Sequence, residues 1–223
     1  MYRKIFALLF LSLCPKLIFS AVSAPVHLQG DEMEIRQKGA ITVFKGSVKL
    51  TYAESVFNAD EMIDYNKQNR VEASGNIYSE IKNKERQELL KIYAQKAWVD
   101  KNRGEGEMID KVVVIYSTSP VNVPVQLNAK TVKFWLQPAD QKKLYASGEV
   151  EFTQGEYRAY SEQAWFYEKE RKMVLTGNRP RIVEKDDKNS SSEYSAEQIT
   201  IFLDEKKIVL EKDVKVEFYP PEK

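Results

Sequence analysis

The sequence predicts an all-β protein: antiparallel strands with one apolar face, bent at regular corners and repeated along the chain. Three observations carry this. A frame of about 32 residues recurs six times, opening at residues 30, 59, 94, 129, 161 and 196, and a period of that size marks a repeat architecture. Inside each copy apolar residues alternate with polar ones, the period-two pattern of strands with one dry and one wet face. In four copies glycine stands on the dry face, where it weakens a strand and marks a bend or a bulge.

The frame is clearest from Ala59 to Ile77, ADEMIDYNKQNRVEASGNI. A small residue opens it. A short strand, a polar turn at Asn66–Asn69 and a second strand ending at Gly75 follow, sixteen residues after Ala59. The same spacing joins Gly30 to Gly46 and Ser161 to Gly177, and a copy lengthened by three residues around Pro138 joins Ala129 to Gly148. The copies Ala94–Asp110 and Ala196–Lys212 lack the glycine but keep a valine two residues on, Val112 and Val214.

Two positions before the corner stand Phe44, Ala73, Met108, Ala146, Leu175 and Leu210; four before it stand Thr42, Val71, Gly106, Leu144, Met173 and Ile208. Two after it stand Val48, Ile77, Val112, Val150, Arg179 and Val214, and four after it Leu50, Ser79, Val114, Phe152, Arg181 and Val216. The intervening positions are mostly polar, among them Lys45, Ser74, Ser147, Glu149, Asn178 and Asp213. A slip of one residue would turn the whole apolar set to water, so the pattern also fixes the pairing. The glycine reads as a corner where each strand passes from one sheet layer to the other; its missing side chain also leaves room inside.

Thr153-Gln154-Gly155-Glu156 reads as a tight turn, and Lys82–Glu88, Ser117–Pro124 and Lys185–Ser192 as longer polar loops. The run Glu85–Ile92 has a helical look but lies inside the repeat frame, and a hairpin is expected. No linker rich in proline or glycine divides the chain, so one domain is expected from about Val26 to Tyr219, with Pro220-Pro221 ending the last strand.

Residues 1–23 have the layout of a secretory signal peptide, Arg3 and Lys4 before the apolar Ile5–Leu13 and small residues at Ser20, Ala21 and Ser23. The mature chain, 24–223, is then periplasmic. An uncleaved anchor and a lipoprotein at Cys14 are the alternatives; Pro15-Lys16 leaves fewer apolar residues than the ~20 a spanning helix needs. Net charge is +1, with both signs interspersed, so no nucleic-acid partner is expected. The single cysteine excludes a disulfide framework, His27 reads as a surface residue, and no metal, cofactor or catalytic constellation is expected.

The segments Ala-Asp-x-Met and Val-Glu-Ala-Ser-Gly-Asn-Ile (59–77), VFKGSVKLTYAESVFNADEM (43–62) and YASGEVEFTQGEYRAYSEQAWFY (145–167) resemble the OstA-like (LptA) family of lipopolysaccharide-transport proteins. The resemblance implies a half-open, taco-like β-jellyroll of six OstA-type repeats that binds and carries lipopolysaccharide from inner to outer membrane and is not an enzyme. It implies head-to-tail homo-oligomers, and partners of the same fold: an inner-membrane-anchored transporter subunit and an outer-membrane translocon. A membrane-anchored relative of the same complex (LptC-like) and a structural β-repeat protein with a closed core are the other readings.

With that resemblance, Phe44, Val48, Leu50, Val71, Ile77, Val112, Val114, Leu144, Val150, Phe152, Met173 and Leu175 are expected to line a groove for the acyl chains of lipid A. Periodicity alone favours the other reading, that they fill a closed core; the resemblance reverses this. Arg179 and Arg181, placed by the count on the dry face, are expected either to meet lipid phosphates at the rim or to be simply solvated. Trp98, Trp135 and Trp165 fall near repeat openings and could pack on a layer or stack on a sugar.

Overall fold

The computed structural model describes residues 25–83, 87–117, 123–138, 141–185, 191–203, 205 and 207–219. The expected signal segment, with Cys14, and Pro220-Pro221 lie outside them, as do most of the three long loops. Sixteen strands follow in chain order. They are β1 (Val26–Gln29), β2 (Glu32–Arg36), β3 (Ile41–Tyr52), β4 (Ser55–Tyr65), β5 (Arg70–Asn83), β6 (Glu88–Asp100), β7 (Glu105–Ser117) and β8 (Val125–Trp135). Then come β9 (Lys143–Gln154), β10 (Tyr157–Tyr167), β11 (Lys172–Thr176), β12 (Arg181–Lys185), β13 (Ser191–Ser195), β14 (Gln198–Phe202), β15 (Lys207–Glu211) and β16 (Lys215–Tyr219). Glu88–Ile92, with its helical look, is strand.

All sixteen form one antiparallel sheet. Each strand from β3 to β10 runs through both halves of it, and the pairing register shifts by one residue at its middle, as between Lys45↔Glu61 and Val48↔Ala59. At the ends the halves are separate strands. β2 pairs with residues 41–45 of β3 and β1 with residues 49–52. β11 pairs with the second half of β10 and β12 with its first. The sheet is therefore two ladders. The first runs from β2 to β15 and the second from β1 to β16, joined along a spine of register shifts.

The spine is made of residues in left-handed conformation. They are Gly46-Ser47, Gly75-Asn76, Asp110-Lys111, Gly148-Glu149, Gly177-Asn178-Arg179 and Lys212-Asp213. The first four fall at register shifts inside continuous strands and are β-bulges, which bend a strand and raise its twist; the last two are bends between separate strands. Glycine favours this site for two reasons, seen at Gly75. Its φ is +74°, where a Cβ is costly, and the Asp60 side chain of the neighbouring strand lies across its α-carbon. That explains the sixteen-residue spacing. The small opening residue, Ala59, faces the interior opposite Val48, and the next residue covers the following glycine.

Alternate residues of both ladders point to one shared core. Val48, Val132, Leu175 and Ile199 are fully buried there, with Leu50, Met62, Val112 and Val150 at 2 % exposure or less. The strands that return from each corner contribute as much as those that enter it: Phe57 and Met62 on β4, Ile92 on β6, Val132 and Phe134 on β8. Opposite the spine, the turns of the first ladder are joined to one another by main-chain hydrogen bonds. They are Asn66 N–H to Ala40 O (3.0 Å), Lys101 N–H to Asn69 O (2.6 Å), Leu136 N–H to Gly104 O (2.9 Å), Glu168 N–H to Lys142 O (3.1 Å) and Leu203 N–H to Arg171 O (2.9 Å).

Candidate binding groove

The interior between the ladders is the site toward which the apolar alternation points. Of the twelve groove residues expected from sequence, Val48, Leu50, Val71, Ile77, Val112, Val150, Phe152, Met173 and Leu175 are buried on the inward face. Phe44, Val114 and Leu144 are partly buried and pack against the same cluster. They are joined by Leu90, Val125 and Leu127, also partly buried. Val114 pairs with Leu127, and Val125 with Tyr116, so these residues form a connected, partly buried apolar strip toward one end of β6, β7 and β8.

Polar groups enter this interior at two places that the alternation did not announce. Tyr116 continues the inward series Val112, Val114. Its hydroxyl donates to Glu88 Oε1 at 3.1 Å, and the Arg171 guanidinium, from the turn between β10 and β11 of the other ladder, lies within hydrogen-bonding reach. Burial, with the Glu88 carboxylate next to it, pushes the Tyr116 phenol up to about 12. The three residues thus meet across the gap between the ladders. Asp64 and Lys101 form the second polar feature. Their ion pair is 2.6 Å long, and both side chains are about 95 % buried under the turns of the first ladder.

Arg179 and Arg181 do not face the interior, which corrects the placement expected from sequence. The fifth corner holds one residue more than the others. The pairing sum moves by two between Gln163↔Thr176 and Tyr160↔Arg181, and Arg179 itself takes φ +51°. The alternation beyond it is therefore inverted. Pro180 and Ile182 point in and are buried, and Arg181 is exposed. Arg179 donates to the Asp213 carboxylate (2.5 Å) and to Ser195 Oγ (3.2 Å), which ties two corners of the spine together; this contact holds the Asp213 carboxyl below its ordinary range. Arg181 pairs with Glu193 and lies over the Tyr160 ring. Both arginines sit by the spine, not at the open side.

The tryptophans lie on the outer face of the first ladder. Trp98 donates to Glu107 and is covered by Arg70, and Trp135 and Trp165 stack at 5.7 Å. A shallow cleft of about 330 Å³ opens beside the spine, where Gln29, Lys49, Asn58, Asp60 and Asn76 surround Val48 and Ala59 of the core. Among the described residues no group of three His, Cys, Asp or Glu is placed to hold a metal, and no helix is long and apolar enough to cross a membrane.

These features define an antiparallel jellyroll whose sheet is not closed and whose interior is apolar. Residues 27–123, a little under half of the chain, match the family model described as LptA/(LptD N-terminal domain) LPS transport protein. The match is a likeness to a family of transport proteins over that stretch, and the strands beyond residue 123 continue the same sheet. A solved structure, LptH of Pseudomonas aeruginosa, described as the LptA homologous periplasmic component of the conserved lipopolysaccharide transport device, aligns over 58 % of this chain and 94 % of its own. The TM-score is 0.48 and the identity 16 %. No curated protein gives a significant match.

Proposed function

We propose that the protein is a periplasmic carrier that takes the acyl chains of lipopolysaccharide between its two ladders and passes them toward the outer membrane. The observation that supports this is the continuous apolar interior, closed at the spine by the bulges and bordered toward one end of β6, β7 and β8 by the partly buried strip of Leu90, Val114, Val125 and Leu127. An acyl chain leaving water gains roughly 0.8 kcal/mol per methylene, so a chain of about a dozen carbons gains on the order of 10 kcal/mol. Part of this offsets the separation of Val48, Leu50, Val150 and Phe152 from the side chains they touch now. Once the ladders part, the inserted chain restores apolar contact to both walls.

In this reading the copies stack end to end and hand the ligand to relatives of the same fold, an inner-membrane-anchored subunit at one end and an outer-membrane translocon at the other. The ends support it. β2 exposes Met33 and Ile35, each 59 %, and β16 exposes Val216 and Phe218, at 45 % and 73 %, beside unpaired edges suited to strand addition. Each end offers two edge strands, β1 with β2 and β15 with β16.

A photo-crosslinking residue at inward Phe152 should capture lipopolysaccharide, and one at the outward neighbour Glu151 should not. Equal capture at both would sink the orientation. The closed-core reading is favoured by the complete burial of Val48, Val132, Leu175 and Ile199. It predicts that mass spectrometry of the protein purified under native conditions finds no bound lipid.

A further inference from the structure

The outer face of the first ladder carries a surface that the groove does not use. One row across it reads Trp135, Lys143, Tyr167, Lys172, Phe202, Lys207, each residue the register partner of the next. Aromatic and lysine side chains alternate along six strands, over about 24 Å at ordinary strand spacing. The ammonium groups sit over the rings. Lys143 lies 5.1 Å from the Trp135 centroid and 5.4 Å from that of Trp165, Lys172 lies 5.0 Å from Tyr167, and Lys207 lies 5.4 Å from Phe202.

The parallel row adds Tyr145 and Trp165, 4.6 Å apart, with Trp165 also 6.3 Å from Tyr167. From β8 to β15 the two rows hold four lysines and no acidic residue; on the adjacent β7, Glu105 and Glu107 are the register partners of Trp135 and Lys133, and Lys133 pairs with Glu107 at 3.7 Å. Cross-strand aromatic pairs do stabilise a sheet, but that need does not place Lys143, Lys172 and Lys207 over the rings.

From this we infer that the face is a binding site for an anionic oligosaccharide. Ring faces stack on the C–H faces of sugars, and lysines that sit over rings, as Lys143, Lys172 and Lys207 do, are placed to meet phosphate or carboxylate groups. The rings are half-buried in the sheet face; they offer surfaces to a flat ligand and do not project as a membrane wedge would.

The position selects the source. The row borders the turns on the open side, and its strands alternate Trp135 and Lys143 outward with Phe134 and Leu144 inward. A glycolipid whose chains enter the groove would fold its sugars over this lip onto the outer face. That choice rests on the carrier reading above; the site itself does not.

The probe is the phosphorylated oligosaccharide of lipopolysaccharide stripped of its acyl chains, titrated by tryptophan fluorescence at low and moderate salt. It should bind, more weakly as salt rises, and at least tenfold more weakly to Trp165→Ala and to Lys143→Gln/Lys172→Gln, the second of which leaves the aromatic packing intact. Capture of a photoreactive fatty acid at Phe152 should be unchanged in both variants. No binding, or equal binding by the variants, overturns the site. Tighter binding of soluble peptidoglycan fragments overturns the assignment to the glycolipid. Oligosaccharide binding without capture at Phe152 upholds the site while the carrier reading fails.

Discussion

The carboxylate of Asp60 lies across the α-carbon of Gly75 and accepts a hydrogen bond from the Asn76 side chain at 2.9 Å. A strand that must bend here is thus held by its neighbour at the bend. Gly75→Ala should destabilise the protein by ~1–3 kcal/mol, the usual cost of a left-handed non-glycine residue, with a further steric penalty from Asp60. Gly39 separates the two effects: its φ is +88° but nothing lies within 4 Å of the position of a Cβ. Gly39→Ala should show the conformational cost alone. In urea denaturation, Asp60→Ala should rescue part of the Gly75→Ala loss; strictly additive losses would refute the contact.

The buried pair Lys101–Asp64 should behave asymmetrically. Lys101→Met alone leaves a carboxylate with 6 % side-chain exposure without its partner, and a loss of about 3–5 kcal/mol is expected. Replacing both, with Asp64→Leu added, should recover most of it, because two desolvated charges are then replaced by packing. Equilibrium unfolding of the three variants decides this. A harmless single substitution would mean that water reaches the carboxylate.

Much of this architecture is legible in the sequence, and the exceptions share a cause. Val48, Val112 and Val150 could be assigned to the inner face because one corner residue plus one more restores the alternation. Arg179 and Arg181 could not, because the corner at Gly177 takes an additional residue before Pro180, and nothing in the local sequence counts it. Tyr116 was legible as inward but not as polar-bonded. Its contact with Arg171 spans the two ladders and depends on their mutual twist, which periodicity does not encode. The Trp135–Lys207 row was invisible for a similar reason: its members are spread over more than seventy residues and meet only through register.

Tyr116 gives a pH signature. Its folded phenol is raised to about 12 from about 10 in an unfolded chain, so the protonated form favours folding. The contribution is complete below pH ~10 and is lost as pH rises toward 12. In a phenolate absorbance titration, the difference between the protein and Tyr116→Phe should therefore be centred near pH 12. A difference centred near 10 would show that the hydroxyl is solvated and that the contact across the groove does not form.

The exposed ends should drive association. Val216→Lys/Phe218→Lys puts charge on the dry side of β16, where an approaching strand would cover it, and leaves the core untouched. Light scattering should show oligomers that lengthen with concentration for the protein and monomers for the variant. A protein that stays monomeric, or that stops at a dimer, excludes the stacked bridge.

The main-chain bonds that link turn to turn along the first ladder have a mechanical consequence. Six of its turns are fastened to one another outside the strands by five such bonds. The lip of the first ladder is thus a braced jaw. Deuterium should enter slowly at the amides of Asn66, Lys101, Leu136, Glu168 and Leu203, which these bonds protect. In the carrier reading, the braced first ladder, with the tryptophan–lysine row on its back, is the jaw expected to keep its shape as a ligand enters.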